Sequence, residues 1–239
     1  MRDETRKKEF KKLLSRQAQR LRPAREWLVA NRIGTFESVL EVGCGFGDVL
    51  KEFSRDHYCV GLDNERNMLK DLPEEGVLGD GHFLPFQDDS FDLMYCHLAV
   101  LWFKEPVKVV REMARVAKNI VCCMAEYDYG ARLDFPDDFQ VIRDELAEGI
   151  LADGGDPFVG RKLKRYFQEA GLRAEVGAYS HVMTQEELSS GFEDEWKFIE
   201  QFTDMDEHEL NELKEKEYES IQEGTRFLFT PVFYAVAHK

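Results

Sequence analysis

The sequence has no apolar run long enough to cross a bilayer. Its longest uncharged stretches, 93–103 and 227–237, span 11 residues each, against about 20 for a spanning helix. The opening MRDETRKKEF lacks the apolar core of a secretory leader. Cysteine is sparse, with five residues (Cys44, Cys59, Cys96, Cys122, Cys123) and no C-x-x-C pair. No histidine stands at zinc-ligand spacing from two of them, so no metal site is expected. An odd number of thiols, four of them in strand-like runs, fits reduced cysteines in a reducing compartment, and a cytoplasmic location is expected. Cations are scarcer than anions, 32 Lys+Arg against 47 Asp+Glu. The net charge of −15 argues against sequence-independent nucleic-acid binding by the whole surface. No internal repeat or low-complexity linker is visible.

What remains is 239 residues, 43% apolar, enough for one domain of enzyme size with a core that needs no disulfide or metal. The charge is uneven. Residues 1–25 hold ten Lys/Arg and three acids, a local charge of +7, so the rest carries −22. In that basic end Phe10, Leu13, Leu14, Ala18 and Leu21 fall on one helical stripe. A helix docked by this stripe is expected, with an arm for a membrane surface or nucleic acid as the alternative. Pro23 is expected to break it and to open a second short helix through Trp27 to Asn31. Residues 1–37 thus read as an N-terminal helical cap.

From Ser38 the pattern alternates. SVLEVGC, YCVGLD, GVLGD, SFDLMYC and NIVCCMAE read as strands, with GDVLKEFSR, NERNMLKDL and PVKVVREMARVAK as helices between several of them. Single crossover helices and unbroken apolar strands predict a parallel sheet covered on both faces. Beyond Glu126, helices are expected over about 139–151 and through VGRKLKRYFQEAGL, which Gly171 stops. The strand RAEVGAYS follows. Residues 184–223 hold fifteen acids and three lysines and read as an acidic helical insertion with Trp196, Phe198, Ile199 and Phe202 turned inward, or as a lid. The chain closes on a strand-like run, TRFLFTPVFYAVAHK, whose Pro231 suggests a bulge or an edge.

The most informative segment is Glu41-Val42-Gly43-Cys44-Gly45-Phe46-Gly47-Asp48, between a strand and a helix. Such glycines permit a tight turn and let a ligand reach the backbone at the C-terminal edge of the sheet. In a dinucleotide fingerprint the third small residue would stand at position 48, where this chain has Asp48. That anion, with Glu41, opposes a pyrophosphate and suits a neutral or cationic ligand such as S-adenosylmethionine, though both acids also suit a helix N-terminus. Asp63 ends the second strand 20 residues after Gly43 and can accept from both hydroxyls of an adenosine ribose. Asp80 ends the third strand and can accept from an adenine amino group or cap a turn.

VLEVGCGFG, CVGLDNERNML, LGDGHFLPFQDDSFDLMYC and KLKRYFQEAGL together closely resemble the class I S-adenosylmethionine-dependent methyltransferases, in particular the type 11 group that includes quinone-biosynthesis enzymes. The resemblance covers roughly Ser38 to Glu126. It implies an α/β, Rossmann-like, seven-stranded, mostly parallel sheet with helices on both faces and a C-terminal antiparallel strand hairpin, so that 38–239 forms the methyltransferase domain. It implies S-adenosyl-L-methionine as cofactor, with Glu41, Gly43, Gly45 and Gly47 at the methionine end and Asp63 on the ribose. Asn64 and Met68 would lie beside the adenine or ribose, and Asp80, Gly81 and His82 about the adenine. Tyr95, Cys96 and His97 would sit near the transferable methyl. The Asp-x-Met-Asn type signature of the quinone enzymes is absent, as is the Asn-Pro-Pro-Tyr type motif of amino-group methyltransferases; Cys96-His97-Leu98-Ala99 stands in its place.

The sulfonium is an activated donor, so the enzyme must chiefly position a nucleophile and exclude water. If the acceptor must lose a proton, His97 is the candidate base, followed by His181, Tyr127 and Asp128; His97 could equally be a buried hydrogen-bonded residue. The expected reaction is in-line methyl transfer to a small or medium organic acceptor. The alternatives are a non-catalytic S-adenosylmethionine-binding module or a dinucleotide-dependent oxidoreductase.

Overall fold

A computed structural model describes residues 2–70, 72 and 75–239, with side chains from residue 10 onward at the N-terminus. The chain divides into two compact units, one of residues 1–126, 162–177 and 233–239, the other of 127–161 and 178–232.

The first unit opens with α1 (Arg2–Leu28). Its stripe is turned inward, with Ala18, Leu21 and Leu28 buried, as amphipathic spacing requires. Pro23 lies inside this helix and does not end it. Proline removes one helical hydrogen bond and crowds the preceding turn. Here the side chain of Arg25 enters that turn and Nη2 donates to the carbonyl of Ala18 at 2.6 Å. The buried leucines on either side hold the helix through the defect, so the expected second helix is a continuation that ends in a π turn over Val29–Ile33.

The strands follow as β1 (Ser38–Val42), β2 (Tyr58–Asp63), β3 (Glu75–Leu78), β4 (Phe91–His97) and β5 (Ala117–Tyr127). Between them lie α2 (Leu50–Phe53), α3 (Arg66–Leu69) and α4 (Pro106–Val116), the first two shorter than their sequence patterns predict. β1 to β5 pair in parallel, with Glu41 beside Gly61 of β2 and Tyr95 of β4. Farther along come β6 (Leu133–Phe135), α5 (Gln140–Ala152), α6 (Leu163–Glu169) and β7 (Glu175–Tyr179). Gly171, at φ +87°, lets Leu172 N–H close on the carbonyl of Phe167 at 2.9 Å, which stops α6 as expected. The last elements are α7 (Gln185–Phe202), α8 (Glu207–Gln222), β8 (Phe227–Phe229) and β9 (Val232–His238).

The seven-stranded sheet runs β3-β2-β1-β4-β5-β9-β7. It is the α/β, Rossmann-like, mostly parallel sheet that the resemblance implies, with an antiparallel C-terminal pair. β8 belongs elsewhere: it pairs antiparallel with β6 in a two-stranded sheet of the second unit. Pro231 therefore separates two strands of different sheets and is neither a bulge nor an edge residue within one.

In the second unit α7 starts on a capping box of Thr184 and Glu187 and buries Trp196, Ile199 and Phe202, with Phe198 half-buried. Gly149 of α5 meets α7 so closely that a Cβ there would lie 1.8 Å from the carbonyl oxygen of Phe202. A buried ionic cluster pins this unit. Asp134 receives Arg132 at 2.8 Å and Arg226 at 2.6 Å, while Glu217 accepts from Arg226 Nε and Trp196 Nε1, each at 2.6 Å.

Candidate functional site

The C-terminal edge of the parallel strands gathers the residues singled out in the sequence. After β1 the chain turns through Gly43, Gly45 and Gly47 at φ +76°, +53° and +71°, a left-handed region that side chains disfavour. Gly43 has a second constraint, since a Cβ there would lie 2.8 Å from the Cβ of Ala99. The turn is tied to β2 by Gly43 and Cys44 N–H groups donating to Leu62 O at 2.8 and 3.1 Å. Gly61, which the sequence reading passed over, supports it from below: a Cβ there would approach Cys44 Sγ to 2.7 Å.

Asp63, 9% exposed at the end of β2, accepts from Gly45 N–H at 2.8 Å through Oδ2 and from Glu65 N–H at 2.9 Å through Oδ1. Each carboxylate oxygen accepts more than one hydrogen bond, so these contacts fix its orientation and leave capacity for hydroxyl donors. Asn64 is exposed and Met68 half-buried just beyond it. Asp48 meets Lys51 at 3.4 Å, and both line an open groove of about 510 Å³ with Arg22 and Arg55.

Asp80 follows β3 and receives His82 N–H at 2.9 Å, with His82 Nδ1 at 2.6 Å. His82 Nε2 accepts from Glu105 N–H at 3.2 Å, so the proton sits on Nδ1 and points to Asp80. The backbone and side chain of His82 together hold the Asp80 carboxyl below its usual range. Gly81 has no room for a larger residue, because a Cβ would stand 3.0 Å from Val42 Cγ1.

Glu41 is buried, and its Oε2 accepts from the Tyr95 hydroxyl at 2.9 Å. Burial pushes its pKa up to about 8, against the lowering effect of that hydrogen bond and of Arg25. Tyr95, wholly buried, is pushed up in turn by burial and by Glu41. One residue on, Cys96 points its Sγ toward Cys122 O at 3.9 Å. His97 is 8% exposed, and its Nε2 lies 3.4 Å from Arg25 Nη1. Burial, then the Arg25 charge, pushes His97 well below the usual histidine range.

Two functional-looking residues escaped the sequence reading. Arg25, 1% exposed, reaches from α1 to His97 and pairs with both carboxylate oxygens of Glu52. Glu126 near the end of β5 is wholly buried; its Oε1 accepts from Ala99 and Val100 N–H, both at 2.8 Å. Burial raises its pKa to about 8, so it is neutral near pH 7. Neither had a local signal, since both are defined by partners far along the chain. Of the other base candidates, Asp128 is committed to Arg161 through both oxygens and His181 is exposed and bonded to Glu187.

Among the described residues, one group of three has metal-ligating atoms within 4.8 Å of one another: Cys96, Cys123 and Glu126. A register shift between β4 and β5, placing Cys96 beside Cys123 but His97 beside Ala125, turns Glu126 to the side of the two thiols. Burial holds the Cys123 thiol well above its usual pKa, so only a thiophilic ion able to displace the thiol proton would be held there.

Residues 40–121 match the family described as a methyltransferase domain. Over 92 residues the chain is 37% identical to an uncharacterized methyltransferase, YcgJ, of Bacillus subtilis, covering 34% of this chain and 36% of that protein. The matched segment is similar to the methyltransferase domain family of type 11. The glycine turn, β2 with Asp63, and β4 all lie inside the matched segment. Over 91 residues the chain is 38% identical to a demethylmenaquinone methyltransferase of Thermotoga maritima, covering 35% of this chain and 40% of that one. The chain thus spans well under two thirds of the length of these relatives. The solved structure of YcgJ shares the fold at a TM-score of 0.56 and 18% identity, over 91% of this chain and 97% of that one. No described helix is long and apolar enough to cross a membrane.

Proposed function

We propose that this chain binds S-adenosylmethionine along the glycine turn and transfers its methyl group, in line, to a small or medium organic acceptor. The observation that carries the reading is the Asp63 to Gly45 hydrogen bond, which couples the acid expected on the ribose to the turn expected at the methionine end. Glu41 would meet the ammonium group, Asp63 the ribose hydroxyls and Asp80 the adenine amino group, with Asn64, Met68, Gly81 and His82 beside the nucleoside. Tyr95 acts through Glu41, while Cys96 and His97 border the methyl-transfer position. When bound, the cofactor supplies the electrophilic methyl carbon. The chain's own residues hold it, orient the acceptor behind that carbon and keep water out. Asp48 at the place of the third fingerprint glycine disfavours a dinucleotide.

Isothermal calorimetry tests this directly. Binding of S-adenosylmethionine and S-adenosylhomocysteine to the wild-type chain, with no saturable binding of NADH, is the expected result. The reverse pattern would replace the reading by an oxidoreductase, and cofactor binding without turnover on any acceptor by a binding module.

A further inference from the structure

Arg25 arrives at the strand edge from an element outside the matched domain, 72 residues before the histidine it touches. A guanidinium has only donors and stays charged. Its contact with His97 Nε2 at 3.4 Å therefore requires that nitrogen to be the acceptor. The ring proton of neutral His97 is then on Nδ1. Among the described residues Nδ1 is one of two buried side-chain atoms with no hydrogen-bond partner, Glu126 Oε2 being the other. An unpaired buried donor costs about 1–3 kcal/mol, so a site that keeps one has a use for it. Arg25 is itself over-determined: Glu52 holds it from one side and Ala18 O from another, so its orientation does not depend on His97.

We propose that Arg25 is the positioning residue of the methyl-transfer site, locking His97 as the neutral Nδ1–H tautomer so that it serves as a hydrogen-bond donor to the bound acceptor and not as a base. This rests on the methyl-transfer reading and narrows its substrate class. The acceptor arrives with its attacking atom already unprotonated and offers a lone pair to Nδ1–H. In the reaction the S–CH₃ bond breaks with its electron pair left on sulfur, giving a neutral thioether. The acceptor's lone pair forms the new bond to the methyl carbon, and no proton passes to His97. The basic helix α1 thereby gains a role that needs no nucleic acid.

Long-range ¹H–¹⁵N NMR of the full chain, labelled at histidine, tests the tautomer without any knowledge of the acceptor. The expected wild-type pattern at pH 7 is a protonated Nδ1 and an unprotonated Nε2 on His97; an Nε2–H or doubly protonated ring overturns the proposal. Arg25→Lys keeps a donor and is expected to keep the pattern. Arg25→Leu is expected to shift the ring toward Nε2–H, and a folded Arg25→Leu chain with the wild-type pattern also overturns it. Should Arg25→Leu fail to fold, the wild-type and Arg25→Lys spectra decide. Calorimetry with S-adenosylhomocysteine on the same samples separates the two readings: loss of cofactor binding by the wild type would strike the methyl-transfer reading, while the tautomer result stands or falls alone.

Discussion

Tyr95 donates its hydroxyl to Glu41 Oε2 at 2.9 Å across two adjacent strands, and both residues are buried. This places a neutral carboxyl, with a pKa of about 8, where a cationic ammonium is proposed to dock. Binding the cation favours the carboxylate, so binding releases a proton. Affinity for S-adenosylmethionine is then expected to rise with pH between 6 and about 8, by at most tenfold per unit, and to level off above. Calorimetry in buffers of different ionisation enthalpy measures the proton release. Glu41→Gln is expected to weaken binding and abolish the pH slope; a slope that survives it would move the titration to another group.

Asp63 serves both the turn and the proposed ribose contact. Asp63→Ala removes the acceptor for Gly45 and Glu65 N–H groups as well as for the hydroxyls. A loss of about 2–3 kcal/mol in S-adenosylhomocysteine affinity is expected, roughly 30- to 150-fold. Asp63→Asn, which keeps one acceptor oxygen, is expected to lose less.

Glu126 gives a stability prediction with a definite sign. Its folded pKa of about 8 lies above the ordinary 4.5, so between these values the folded state holds a proton that the unfolded state has lost. Its contribution is present in full below pH 4.5 and declines as pH rises toward 8, by up to about 1.4 kcal/mol per unit. Glu126→Gln keeps an oxygen for Ala99 and Val100 and cannot ionise. Urea midpoints at pH 4.5 and pH 8 are expected to show little difference at the lower pH and a gain for Glu126→Gln at the higher. Glu126→Ala strands two buried N–H groups and is expected to be destabilised by about 2–4 kcal/mol at both.

Asp134 joins Arg132 and Arg226 in the second unit, where both arginines are nearly inaccessible. Asp134→Ala leaves two buried cations short of an acceptor, and breaking such a pair costs about 3–5 kcal/mol. Thermal unfolding is expected to shift down by several degrees. Replacing Lys216, whose ion pair with Asp138 is exposed, is expected to change stability by less than about 1 kcal/mol.

The sequence by itself determined the alternation of strands and helices, the glycine turn, and the acids that end β2 and follow β3. All of these are local: periodicity sets which face is buried, and the three glycines stand where the backbone takes positive φ. The tertiary structure decided what depends on distant partners. Pro23 is carried inside α1 because the buried face of the helix and Arg25 hold the turn together. The terminal run divides at Pro231 because β8 finds β6 and β9 joins the large sheet. The second unit is assembled from two separated stretches of chain. Burial by neighbours remote in sequence makes Glu41 and Glu126 neutral acids, and the cation of Arg25, set against His97 from the N-terminal helix, chooses that histidine's tautomer. A sequence pattern records which side chains are present, whereas protonation and tautomer follow from the dielectric and the charges that folding brings around them.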